Sequence, residues 1–158
     1  MRVLWVCNIM LPVIAEALHR EASNKEGWLS GLLSQIVDRE DTGMTLAVAF
    51  PVPAGEEIPQ SFVVRVQGEH PACVAEATSA TEAASASEGG GGYLVRCYGF
   101  HEDTVHPDRY QPELEEELRK ITDDYDPDVI HCFGTEYPHT LAVCRVYPHP
   151  ERILLGIQ

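Results

Sequence analysis

The chain has few basic residues, and lysine occurs only as Lys25 and Lys120. Its 158 residues include 25 acidic and 11 basic side chains, which gives a formal net charge of -14. A surface that binds nucleic acid needs clustered Lys and Arg to neutralise phosphates. The composition therefore opposes DNA or RNA as a partner, and it also lacks a polybasic patch for an anionic membrane surface.

No apolar run approaches the roughly 20 residues that a helix needs to span a bilayer, so no transmembrane segment is expected. The first residues, M-R-V-L-W-V-C-N-I-M-L-P, form a short apolar run that Asn8 interrupts, without the cleavage site of a signal peptide. The five cysteines form no C-x-x-C pair, which predicts buried free thiols in a reducing compartment. We expect a cytoplasmic protein, and peripheral contact with the inner face of the membrane stays open.

Several common nucleotide-binding and catalytic motifs are also missing from the sequence. C-N-I-M-L-P stands after the first predicted strand, where a dinucleotide-binding protein would have G-x-G-x-x-G. There is no G-K-[ST] phosphate loop and no G-x-S-x-G nucleophile elbow. The ordinary dinucleotide site, the P-loop and the hydrolase nucleophile are therefore not predicted.

What is present is an alternation of strand and helix patterns. Such spacing predicts one α/β domain over 1–158 with a Rossmann-like, doubly wound, mainly parallel sheet. Because 44–100 lacks a clear helix between strands, we expect an antiparallel edge hairpin there, in which the strand at 61–67 has one exposed face. The predicted strands are 2–7, 44–50, 61–67, 93–100, 129–133 and 153–157, and the predicted helices are a short turn over 14–20, 27–39, one with Pro112 at its N1 position, and 141–147.

The segment 73–92 is poor in large apolar side chains and ends in four glycines. Such a composition cannot offset its ordering entropy by burial, so we expect a flexible, low-complexity surface insertion. A short Ala-rich helix is the alternative.

A candidate site follows the predicted strand at 129–133, where the chain reads H-C-F-G-T-E-Y-P-H. In open parallel sheets, ligands bind beyond the carboxyl ends of the strands. If the strands at 2–7 and 129–133 are neighbours, polar residues after both should share one crevice. The expected walls are Asn8, Asn24 and Gly27 on one side and His131, Glu136 and His139 on the other.

Each of these residues has a functional and a structural interpretation. His139 can hydrogen bond to a sugar or to a leaving-group oxygen, with Glu136 positioning it, or His139 can be a surface residue in the first turn of a helix. Asn24 and Gly27 can contact a ligand, or Asn24 can simply cap the helix and Gly27 can simply pack within the protein. The histidines and Glu136 cannot share one helix face as in an H-E-x-x-H site, so no metal is expected. His101 and His106 are predicted to be loop residues.

S-N-K-E-G-W-L-S-G-L, Y-G-F and D-P-D-V-I-H-C-F-G-T-E-Y-P-H-T-L-A resemble the amino-terminal half of GT-B glycosyltransferases of the family 4 type. The resemblance covers most of the chain outside 73–92. It implies retaining transfer of a sugar from a nucleotide-sugar donor to a carbohydrate or other hydroxyl acceptor, usually without a metal or other cofactor. It also implies two Rossmann-like domains around a cleft, of which the amino-terminal one chiefly binds the acceptor.

By this resemblance Gly27 belongs to the loop near the donor phosphates, and the segment from His131 to His139 is the acceptor wall. The implied roles are catalytic for His139 and Glu136 and acceptor binding for Asn8, Asn24, His131 and Thr135. The chain departs from the family by having Glu26 where many members have a second glycine. It also ends at I-L-L-G-I-Q, where the family continues into a second domain, so we expect an incomplete domain that turns over little substrate alone.

Two other functions stay open on the sequence. One is a non-catalytic Rossmann-like binding module whose exposed apolar edge is covered by a partner or by a second copy in a homodimer. The other is a different α/β enzyme that uses His139 and Glu136 as an acid-base pair.

Overall fold

The computed structural model describes residues 1–21, 27–39, 43–66 and 92–156. The predicted insertion at 73–92 lies outside these residues, apart from Gly92. A short 3-10 helix, Pro150–Arg152, precedes the last strand. The remaining elements are β1 (Arg2–Val6), α1 (Pro12–Ala17), α2 (Gly27–Val37), β2 (Thr45–Val52), β3 (Phe62–Val66), β4 (Tyr93–His101), α3 (Glu113–Tyr125), β5 (Val129–Phe133), α4 (Pro138–Val146) and β6 (Ile153–Gly156).

The strands form one sheet in the order β3-β4-β2-β1-β5-β6. All neighbouring pairs are parallel except β3 and β4, which are antiparallel at one edge. The structure thus confirms an α/β fold with a mainly parallel sheet and an antiparallel edge, compatible with a Rossmann-like domain. The order reverses between β1 and β5, which puts the topological switch point of the sheet between these two strands.

Helices cover both faces of the sheet, and successive side chains of each strand point to opposite faces. On one face, Trp5 of β1 and Cys7, the residue after β1, pack in a cluster with Leu29 and Leu33 of α2. On the other, Leu4 and Val6 pack in a cluster with Leu118 of α3 and Val143 of α4. Burial on both faces explains why β1 is a continuous apolar run.

The prediction that β3 has one exposed face is wrong. Val63, expected on that face, is only 7% exposed. Arg96 of β4 lies directly opposite Val63, and opposed residues of an antiparallel pair point to the same face. The Arg96 guanidinium lies 5.5 Å from the Tyr98 ring centroid and 3.0 Å from Asp124 of α3, so protein side chains occupy this face.

Several element boundaries differ from the predicted ones. The predicted helix at 141–147 begins three residues earlier, at Pro138, and Pro112 precedes α3 instead of occupying its first turn. Proline fixes a helical φ, so Pro138 can open a helix although no apolar periodicity marks that point. His101 is the last residue of β4, not a loop residue as predicted, whereas His106 does lie in a turn.

The edge strand β6 carries two exposed leucines, Leu154 at 55% and Leu155 at 49%. Successive residues of a strand point to opposite faces, so neither face of the sheet is covered at this edge by the described residues. Within the described ranges, no helix is long and apolar enough to cross a membrane.

Candidate functional site

The switch point brings together the segments that follow β1 and β5. The two strands are parallel neighbours, with Val6 paired to Cys132, so their carboxyl ends reach the same edge. Gly134 turns the chain after β5 with a φ of +83°, and a Cβ built on it would lie 2.7 Å from the Asn8 Cβ. Asn8 therefore packs directly against the turn after β5.

A crevice of about 550 Å³ opens beside Asn8 and is bordered by the carboxyl ends of β1 and β2. Its apolar lining includes Ile9, Met10 and Pro51. Its polar lining consists of Asn8, Arg20, Glu21, Glu56 and Thr104. Mixed walls of this kind suit a ligand that has apolar faces and hydrogen-bonding edges.

Among the described residues that line this crevice, Asn8 has a buried side-chain atom without a hydrogen-bond partner. The residue is 6% exposed, and its Oδ1 atom is buried without a hydrogen-bond partner among the described residues. Leaving a buried acceptor unsatisfied costs about 1–3 kcal/mol. Rotation about the soft Cβ–Cγ torsion can redirect Oδ1 without moving the backbone, so a ligand donor in the crevice can satisfy it.

Arg20 and Glu56 form an ion pair on the crevice wall. Arg20 Nη1 lies 2.5 Å from Glu56 Oε2, and Arg20 Nη2 donates a hydrogen bond of 3.2 Å to the carbonyl oxygen of Glu57. Both terminal nitrogens of the guanidinium are therefore already bonded to the protein.

A buried Glu-His pair lies behind the switch point. The side chains of Glu102, directly after β4, and of His139, in the first turn of α4, are both 0% exposed. Glu102 Oε1 accepts a hydrogen bond of 2.8 Å from the His139 backbone N–H, and Glu102 Oε2 lies 2.9 Å from His139 Nδ1. His139 Nε2 lies 2.9 Å from the carbonyl oxygen of Phe133, and because a carbonyl only accepts, Nε2 carries a proton.

This bonding changes the expected place of His139. The surface position considered for it is wrong, since both ring nitrogens are bonded inside the protein. The ring is also enclosed by Phe100, with centroids 5.5 Å apart, and stacks on Tyr137 at 5.8 Å. Direct contact between His139 and a sugar stays a prediction, and the observed bonds describe a residue that holds the β5–α4 turn.

Thr135 and Glu136 are exposed in that same turn. Among the described residues, no hydrogen bond or ion pair joins Glu136 to His139. The two therefore do not form the acid-base pair considered from the sequence in this conformation. Their exposure leaves Thr135 and Glu136 accessible to a ligand at the edge of the sheet.

His131 and Gly27 lie on the α2 side of the sheet. His131 is half-buried within β5, where burial lowers its pKa, and its ring centroid lies 4.0 Å from that of Phe133. The Trp28 ring lies 5.5 Å from Phe133 on the same side. Gly27 begins α2, and a Cβ there would meet no described atom within 4 Å, so described packing does not require this glycine. Asn24 lies outside the described residues.

Glu102 is the site residue that sequence reasoning missed. The placement rule used for Asn8 applies to it equally, because it is the first residue after a parallel strand. The run Y-L-V-R-C-Y-G-F-H-E thus contains the signal, but nothing in it indicates the partner 37 residues away.

A second groove, of about 400 Å³, lies between β4 and α3. Four of its polar residues are bonded in two pairs: Tyr98 donates to Asp124 at 2.7 Å, and His101 donates its backbone N–H to Glu117 at 2.9 Å. It therefore presents fewer unsatisfied groups to a ligand than the crevice at Asn8. The described residues contain no group of three or more His, Cys, Asp or Glu side chains that could hold a metal ion.

The fold and crevice define an α/β protein with a partly polar cavity beside the switch point of its sheet. Comparison with known proteins finds no matching family model and no significantly similar curated protein or solved structure.

Proposed function

We propose that the chain is the acceptor-side, amino-terminal domain of a retaining GT-B glycosyltransferase of the family 4 type. Such an enzyme transfers a sugar from a nucleotide-sugar to a hydroxyl of a carbohydrate or other acceptor. The observation that carries the proposal is Asn8, a buried amide with an unpartnered Oδ1 on the wall of the crevice beside the ends of β1 and β2. An acceptor-site amide of this kind is suited to a sugar hydroxyl, which can donate the missing bond.

The crevice walls support the same ligand class. A sugar ring has apolar C–H faces and a rim of hydroxyl groups. Ile9, Met10 and Pro51 offer apolar surface, while Asn8 and Thr104 offer hydrogen-bonding groups. Pocket walls that are mainly apolar with a few placed polar groups can both bind a ligand and fix its orientation.

In the proposed enzyme, His139 is a positioning residue. It joins Glu102 to the Phe133 carbonyl and so fixes the turn after β5 that carries Thr135 and Glu136. Those two exposed residues would contact the acceptor or the transferred sugar. Gly27 would face the donor phosphates, and the nucleotide would be held by a second domain. Precise positioning of acceptor and donor is a large part of catalysis in a two-substrate reaction.

A non-catalytic binding module is the second candidate, favoured by the exposed Leu154 and Leu155 on β6. An uncovered apolar edge is typical of a surface that another chain or segment covers. The two candidates differ in ligand: the transferase domain binds a sugar acceptor, whereas the interaction module needs none.

The test of the proposed function is calorimetry of the chain with methyl α-D-glucoside and, separately, with UDP-glucose and GDP-mannose, followed by an assay for sugar transfer. We expect millimolar binding of the glycoside, weak or no binding of either nucleotide-sugar, and little or no transfer. Thr104→Val removes a hydroxyl from the crevice wall at an exposed position and should weaken binding of the glycoside. Micromolar binding of a nucleotide-sugar would show that the donor site is misplaced, and absence of glycoside binding would favour the interaction module.

A further inference from the structure

We propose that the crevice at Asn8 accepts a neutral or amine-bearing sugar and discriminates against sugars that carry a phosphate or carboxylate. This inference rests on the proposed function, because it names the acceptor class of the same site. It is carried by the bonding of Arg20, by the carboxylates on the crevice wall and by the missing partner of Asn8.

Arg20 is the only basic residue among the described residues that line the crevice. Recognition of a phosphate or carboxylate by arginine uses a fork of two parallel N–H groups. In this structure one terminal nitrogen is committed to the Glu56 carboxylate and the other to the Glu57 carbonyl. The guanidinium has further N–H groups that an anion can reach, but the Glu56 carboxylate beside it offsets its charge, so Arg20 attracts an anion less than an unpaired arginine would.

The carboxylates on the wall outnumber the guanidinium. Glu21 and Glu56 both line the crevice, and both are exposed, so the described lining carries one net negative charge when all three groups are ionised. The whole chain, with a formal charge of -14, adds a repulsive background for anions. An ammonium group is attracted by the same field, and a neutral sugar is indifferent to it.

Asn8 adds a requirement that does not depend on net charge. Its unpartnered buried atom is Oδ1, which is an acceptor and needs a donor. Sugar hydroxyls and ammonium groups can donate a hydrogen bond. An ionised carboxylate or phosphate group only accepts, so the missing bond has to come from a hydroxyl or an ammonium group of the sugar. Asn8 thus requires such a donor, and the charge of the wall disfavours a sugar that also carries an anionic group.

The experiment uses ¹H–¹⁵N NMR titrations of the chain at neutral pH and low salt with three sugars that share one ring: methyl α-D-glucoside, glucosamine and glucose 6-phosphate. We expect glucosamine to bind at least as tightly as the glucoside. Glucose 6-phosphate should bind on the order of tenfold more weakly, because two exposed carboxylates oppose it. Raising the salt concentration should reduce the difference between glucosamine and the phosphate.

Glu21→Gln and Glu57→Gln are a matched pair of variants. Glu57 is exposed and adjacent to Glu56, but it does not line the crevice, and it contacts Arg20 through its carbonyl group. Glu21→Gln should reduce the preference for glucosamine over glucose 6-phosphate by a few fold, and Glu57→Gln should preserve that preference. Equal effects of the two variants would overturn the assignment of the preference to the crevice wall.

The outcomes separate this inference from the proposed function. If glucose 6-phosphate binds as tightly as the neutral glucoside, the charge selection is wrong while sugar binding stands. If none of the three sugars binds, the proposed function fails, and the inference fails with it.

Discussion

At the scale of single residues, the Glu102–His139 pair is the most consequential interaction at the site. The Glu102 carboxylate accepts the His139 backbone N–H in the first turn of α4, a donor that has no acceptor within its own helix. It also lies at the positive end of the helix dipole, which favours a carboxylate. One interaction thus connects the end of β4, the end of β5 and the start of α4.

Removal of either partner should destabilise the fold strongly. We expect Glu102→Ala and His139→Ala each to lower the free energy of unfolding by about 3–5 kcal/mol, because each leaves a buried group without its partner. The double variant should lose less than the sum of the two, which urea denaturation can measure as a coupling energy.

An exposed His-carboxylate pair serves as the control. His106 Nδ1 lies 2.8 Å from Asp103 Oδ2 with both side chains substantially exposed. His106→Ala should cost under about 1 kcal/mol. Losses of similar size at His106 and His139 would show that burial of the pair does not matter.

Substitutions at Gly134 and Gly55 distinguish the cost of a strained backbone from the cost of a steric clash. Both have a positive φ, +83° and +86°, but a Cβ at Gly134 would lie 2.7 Å from Asn8, whereas Gly55 has open space. Gly55→Ala should cost about 1–2 kcal/mol from the left-handed backbone alone. Gly134→Ala should cost more in the same denaturation experiment, and equal losses would contradict the tight packing of Asn8 on the turn.

Two histidines should titrate in opposite directions from the usual value of about 6.5. The Glu56 carbonyl, which accepts from Nε2, and then the Glu117 carboxylate raise the pKa of His101, whereas burial lowers the pKa of His131. His101 should therefore favour folding below its unfolded pKa and lose that contribution as pH rises through its folded pKa. For His131 the contribution is present at higher pH and is lost as pH falls through its folded pKa.

Imidazole proton NMR, assigned with His101→Gln and His131→Gln, checks this order. The His101 midpoint should lie above that of His131. The reverse order would mean that the hydrogen bonds of His101 are not kept in solution.

At the scale of elements, the strands are the part that the sequence predicts best. A strand that is buried on both faces is a continuous apolar run, and such a run can be recognised in the local sequence. The ends of β1 and β5 therefore lie within one residue of the predicted ends. Features that depend on distant chain segments are not encoded locally. The cover over Val63 comes from Arg96, and the acceptor at the start of α4 comes from Glu102.

The β6 edge has its own testable consequence. The prediction of a homodimer through this edge stays untested, and it requires Leu154 and Leu155 to lie in the interface. Sedimentation of the chain over a range of concentrations should show association that Leu154→Lys with Leu155→Lys abolishes. Leu141→Lys, at a leucine of 47% exposure on α4, is the control and should leave association unchanged. A chain that stays monomeric at all concentrations would contradict the prediction.

At the scale of the whole molecule, sheet topology explains why the site is where it is. The carboxyl ends of β1 and β5 lie side by side at this reversal, and the crevice at Asn8 opens between the ends of β1 and β2, without lining residues from the turn after β5. The predicted crevice depended on β1 and β5 being neighbours, and the structure meets that condition. The sequence could not predict which polar side chains would be buried, because the burial of His139 depends on how α4 packs against the end of β4.

Chemical-shift mapping with methyl α-D-glucoside tests most directly whether a sugar binds in the crevice at Asn8. We expect the perturbed backbone amides to cluster at Asn8, Arg20 and Thr104, which line that crevice. Perturbations confined to Gly99 and Lys120, in the groove between β4 and α3, or no saturable perturbation at all, would contradict this expectation.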